Sequence, residues 1–135
     1  MLNKAELKRY LPLKQEADEL KLQAEYLEED IRHLKAVVID GMLKGSTVND
    51  SIGNLVAKVD KLRCDYLHKY NLALCELYKI ERCIESLDDE TERRLMRKRY
   101  VEGNHWEDVC VEINHNWRHT HRIHANILKK IEKMG

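Results

Sequence analysis

Four histidines fall within ten residues, His115, His119, His121 and His124, with Cys110 just ahead of them and Arg118 and Arg122 among them. Imidazole and thiolate are zinc ligands, and His-x-x-x-His places two rings on one helix face. The pattern nevertheless argues against a metal. His115 falls in a turn, His121 and His124 point in different directions, and the chain has no Cys-x-x-Cys. No metal and no cofactor is expected. The arginines have a different use: Arg118 and Arg122 are four apart and share a helix face, where guanidinium groups can bind guanine O6 and N7 bidentately. Acids such as Glu90 and Glu92 are spaced as helix surface. No base is positioned beside a reacting group in a pocket, so no enzymatic activity is expected.

A helix that carries base-reading arginines needs a scaffold to aim it, and the surrounding residues have the spacing of a helix-turn-helix. Counting from Trp106, such a motif needs apolar residues at positions four, eight, fifteen and eighteen. It also needs a small residue at five and one tolerant of positive φ at nine. Those slots hold Val109, Ile113, Thr120, Ile123, Cys110 and Asn114. The small residue lets the helices cross closely, and Asn enters the left-handed region at little cost. Asn116 is placed to cap the final helix, whose apolar face is Thr120, Ile123, Ile127 and Ile131, with His124 and Leu128 at its edge. The opposite face carries Arg118, Arg122, Ala125 and Lys129. Upstream, Asp88 is the expected cap of a helix running through Leu95, Met96 and Tyr100, broken by Glu102-Gly103-Asn104. Asn104 and Glu107 then form a capping-box-like start for the next helix.

The net charge of the 135 residues is zero, but its distribution is uneven. From Ile113 onward, Arg118, Arg122, Lys129, Lys130 and Lys133 face a single acid, Glu132. A basic surface on one helix matters more to phosphate contact than the whole-chain total. Because unperturbed imidazole titrates near ~6.5, the flanking histidines predict tighter duplex binding as pH falls.

The remaining two-thirds reads as two long helices. Leu13, Ala17, Leu20, Ala24, Leu27, Ile31, Leu34 and Val38 alternate steps of four and three, the seam of a coiled coil. A second seam runs from Ile52 through Val59, Leu62, Tyr66 and Tyr70 to Ile80, Ile84 and Leu87, with a stutter at Tyr66. Between them lies a Gly/Ser/Asn-rich connector at about 40–51, with Gly41 and Gly45 as helix stops and Asp50 or Ser51 as the next cap. The expected fold is therefore all-α. A long antiparallel helical hairpin or coiled coil (residues 1–86) precedes a three-helix helix-turn-helix domain (residues 87–135). The seams also fit pairing with a second chain, which predicts a homodimer or other homo-oligomer. No membrane span or signal peptide is evident, which implies a cytoplasmic protein with reduced cysteines.

Residues 87–131 resemble region 4 of bacterial sigma-70-type factors, through Leu95-x-x-x-Arg99-Tyr100-Val101-Glu102-Gly103, Trp106-Glu107-x-Val109, and the run from His121 to Ile131. In overall plan the chain is similar to sigma-region-4-like transcriptional regulators of phages and prophages of Gram-positive bacteria, of ArpU-like and RinA-like type. No segment corresponds to the region with which sigma factors open the −10 element. The resemblance implies a sequence-specific regulator that binds double-stranded DNA and contacts host RNA polymerase. It also implies that Trp117, Arg118 and Arg122 read bases. His119 and His121 are candidate phosphate contacts, and Lys129 and Lys130 are candidates for contact with the DNA backbone or the polymerase. Two other functions fit the same elements: a phage terminase small-subunit-like DNA recognition protein, and a coiled-coil interaction module without DNA binding.

Overall fold

The computed structural model describes residues 2–41 and 46–134. It is all-helical, and no strand occurs among the described residues. The helices are α1 (Lys4–Leu7), α2 (Tyr10–Ile39), α3 (Ser46–Glu85), α4 (Glu90–Met96), α5 (Trp106–Ile113) and α6 (Trp117–Met134), with a π-helical turn at Arg97–Val101 directly after α4. The chain divides into two compact units, residues 14–71 and residues 1–13 together with 72–135.

In the unit of residues 14–71, α2 and α3 pair antiparallel. Glu28 bonds Arg63, Asp18 accepts from the Tyr70 hydroxyl, and Lys69 lies 3.0 Å from Glu16, so positions rise along one helix as they fall along the other. The seam is the one the periodicity predicts. Ala17, Ala24, Ile31, Val59 and Leu62 are buried, while Leu20, Leu27 and Leu34 are half-buried. Small side chains at alternate seam positions leave little between the helices and push the leucines to the flank. Gly41, at φ 76°, ends the first helix. The second helix starts at Ser46, earlier than the expected cap at Asp50 or Ser51. Several residues of this polar run are cap-competent types, so composition alone does not choose among them. Gly45, the other expected stop, lies outside the described residues.

The other unit departs from the expected boundary at 86/87. Ala73, Ile80, Ile84 and Leu87 of the second seam pack with Leu95, Met96, Val109 and Ile127 of the carboxy-terminal helices, and Leu7 and Tyr10 join the same core. Three short helices expose too much of their surface to stand alone, and a larger core offsets that. Nothing in the periodicity predicts the amino-terminal turn α1. It is capped by Asn3, whose Oδ1 accepts from the Glu6 amide at 2.9 Å, and it ends on Leu7, which is fully buried. Leu11 covers Gly103, where a methyl group would lie 3.3 Å from Leu11 Cδ1 and φ is +75°. Glycine is favoured there on both counts.

Candidate nucleic-acid interface

Asp89, not Asp88, caps α4, accepting from the Thr91 amide at 2.8 Å. Adjacent aspartates make the two registers indistinguishable by residue type. Glu92 in the first turn is buried, and the Lys130 ammonium lies 2.8 Å from both its carboxylate oxygens. That pair joins α4 to α6 and raises the Lys130 pKa. Lys130, read from sequence as a backbone or polymerase contact, is thus engaged within the chain. Arg97 fixes the next turn through two bonds to Glu81, at 2.6 and 2.9 Å.

After Arg97 the helix widens, and the Glu102 amide reaches back five residues to the Arg97 carbonyl at 3.0 Å. Gly103 reverses the chain, and the Asn104 amide donates to the Lys98 carbonyl at 3.0 Å. Asn104 therefore closes the preceding turn. The expected Asn104–Glu107 capping box is not formed; His105 occupies the cap of α5 with no side-chain bond.

The turn between α5 and α6 has the predicted form. Asn114 adopts φ 59°, ψ 44°, and the His115 amide bonds the Cys110 carbonyl at 3.1 Å, the six-to-one closure of a left-handed helix end. Val109, Ile113 and Thr120 are buried, and Cys110 and Ile123 are half-buried. Asn116 Oδ1 accepts from the His119 amide at 2.7 Å and so caps α6.

On α6, Arg118, Arg122 and Lys129 are exposed, and among the described residues none is in an ion pair. His119 is exposed as well, with its ring 4.5 Å from that of His115. Trp117 and His121 are placed differently. Trp117 is 51% exposed, and its ring lies 4.3 Å from His121. On its other side His121 meets Trp106 at 4.6 Å, and its Nε2 is buried without a hydrogen-bond partner. The structure thus brings Arg118, Arg122 and Lys129 onto one open face and sets Trp117 and His121 along its packed border.

Sequence reasoning missed the cluster behind that border. His124, expected at the edge of the apolar face, is buried, and its Nε2 is hydrogen-bonded to the Tyr100 hydroxyl at 2.6 Å. Trp106 packs on the His124 ring at 4.7 Å and carries the Arg99 guanidinium 4.8 Å over its own ring. Burial, reinforced by the positive charges of Lys4, His121, Arg99 and Lys8, lowers the His124 pKa to about 4. Burial likewise pushes the Tyr100 phenol up to about 12. Both groups are neutral at pH 7, and the pair acts as a packed support that sets the rotation of α6. The available signal is Trp117, His121 and His124 at helical spacing of four and three.

No protein family, curated protein or solved structure matches the chain. Among the described residues no helix is long and apolar enough to cross a membrane.

Proposed function

We propose that the protein is a sequence-specific transcriptional regulator of phage or prophage type, cytoplasmic and without enzymatic activity, which reads double-stranded DNA with the helix that begins after Asn116. The observation that carries this reading is the left-handed Asn114 turn. It leaves α6 with one face packed and the other presenting unpaired Arg118 and Arg122 in its first turns. In a helix-turn-helix those turns enter the major groove. Arg118 and Arg122 act as base readers, while Lys129 and His119 add phosphate contacts. The resemblance to sigma region 4 adds host RNA polymerase as a partner.

Half-buried Leu20, Leu27 and Leu34, with exposed Leu22, Tyr26 and Leu67, favour association of two copies through residues 14–71. A dimer also supplies two recognition helices for two half-sites. Selecting binding sites from a random DNA pool tests the reading, and enrichment of one motif is the expected result. Transcription from a promoter bearing that motif, reconstituted with bacterial RNA polymerase, separates a regulator from a terminase-like recognition protein. A pool that stays random at low salt favours the interaction module.

A further inference from the structure

We infer that a second copy of this chain packs on an exposed face of α3, parallel and in register, through Cys64, Leu67, Asn71, Leu74 and Tyr78. This rests on the self-association reading and deepens it by naming the face, the direction and the register. It does not depend on DNA binding.

The face follows from spacing on one helix. α3 runs without a break from Ser46 to Glu85, and its inward seam includes Val59, Leu62, Ala73 and Ile80, all buried. Cys64, Leu67, Asn71, Leu74 and Tyr78 are separated by three, four, three and four residues, so they form a second stripe along the same helix. Every one of them is exposed, with Leu67 at 58%, Leu74 at 60% and Tyr78 at 62%. These are the layer positions of a coiled coil, and among the described residues no helix covers them. The next layer positions, Asp60 and Glu81, are charged, so the apolar stripe is bounded at both ends. From Cys64 to Tyr78 it is about 21 Å long at ~1.5 Å per residue. Five layers make a small contact, which predicts a reversible dimer.

Asn71 identifies the occupant. A carboxamide among apolar layers is left unpaired against a leucine, but it hydrogen-bonds its own counterpart when two identical helices lie parallel and in register. In an antiparallel pair Asn71 would face Leu67 or Leu74 instead, and a shift by one heptad would set it against Cys64 or Tyr78. A second copy supplies a matching carboxamide at that layer and leucines on either side of it. The flanks of the stripe hold Arg63, His68, Tyr70, Cys75 and Leu77, and Arg63 is already paired with Glu28 and Asp60 of its own chain. No row of like charge therefore opposes an identical face.

The test combines sedimentation equilibrium of the full chain with cross-linking by a short bismaleimide. Wild type should dimerise reversibly. Leu67→Glu/Leu74→Glu should weaken the dimer by roughly 30-fold or more, with helicity unchanged because both side chains are exposed in the single chain. Leu22→Glu/Tyr26→Glu, which alters exposed apolar residues of α2, should keep the wild-type affinity. Parallel register sets Cys64 against Cys64 of the second copy, so the cross-linked dimer should be lost in Cys64→Ser and kept in Cys75→Ser. Asn71→Leu should tighten association while lowering the Cys64 cross-link, as antiparallel pairs form. A dimer that resists Leu67→Glu/Leu74→Glu, or that the α2 substitutions weaken equally, overturns the inference while leaving self-association in place. A cross-link that survives Cys64→Ser overturns it as well. Wild-type protein that stays monomeric at the highest concentrations overturns self-association itself.

Discussion

The two units bury different things. In residues 14–71 the most deeply buried side chains are alanines, Ala17 and Ala24, and the seam leucines Leu20, Leu27 and Leu34 are only partly buried. In residues 1–13 with 72–135 the fully buried set includes Leu7, Ile80, Ile84, Leu87, Leu95, Met96 and Ile127. Burial of a large aliphatic side chain is worth roughly 1.5–3 kcal/mol, so the second unit holds its own core. The first is a narrow stripe that leaves Leu22, Tyr26 and Leu67 exposed. The two units therefore differ in how much apolar surface each leaves to solvent.

The largest expected effect sharpens that contrast. Leu7→Ala should lower stability by about 3 kcal/mol, within the range for a fully buried leucine. It should be visible in urea unfolding followed by tryptophan fluorescence, since Trp106 and Trp117 both lie in the same unit as Leu7. Leu27→Ala in dilute monomer should cost about 1 kcal/mol or less, because that side chain is only half-buried. Its cost should grow with protein concentration if a second copy covers the face. Equal and concentration-independent costs at the two sites would remove the distinction.

Acid should weaken the unit of residues 1–13 with 72–135 through His124. Its folded pKa, about 4, lies below the ordinary value of 6.5, so the unfolded chain takes up the proton first. The neutral buried ring therefore contributes stability that is fully present above pH 6.5. That stability declines as pH falls toward 4. The loss should reach roughly 3 kcal/mol, because each tenfold change in proton affinity is worth about 1.4 kcal/mol. Denaturant titrations across this window should show the decline in wild type and a flatter profile in His124→Leu.

Single substitutions Arg118→Ala and Arg122→Ala should each reduce discrimination between a selected and a scrambled duplex by about 1–3 kcal/mol, with helicity unchanged by circular dichroism. The smallest effect has the opposite sign. Thr120 fills a core slot of the motif, but its buried hydroxyl has no hydrogen-bond partner. Thr120→Val keeps the shape and removes that group, and should raise stability by about 1 kcal/mol while leaving DNA affinity unchanged.

Features set by neighbours in sequence were legible. The slots at Val109, Ile113, Asn114 and Thr120, the Asn116 cap, and the Ala17–Ala24–Ile31 seam all follow from spacing within one or two helices. Contacts between distant residues were not. Leu7 carries no mark that it belongs to a core completed by Ile127, and Lys130 reads as free until Glu92 is found beside it. His124 reads as the edge of the apolar face until Tyr100, 24 residues earlier, is seen to hydrogen-bond it. The π-helical turn has no side-chain signature, and Asp88 beside Asp89 leaves the cap ambiguous by one residue.

The most direct test of the central claim, that α6 reads base pairs through its arginine face, is parallel binding-site selection from one random DNA pool. Wild-type protein and the Arg118→Ala/Arg122→Ala double variant are compared at the same salt. Wild type should enrich a single motif, and the double variant should retain duplex binding while its recovered pool stays close to random. The same motif enriched equally by both proteins would contradict it.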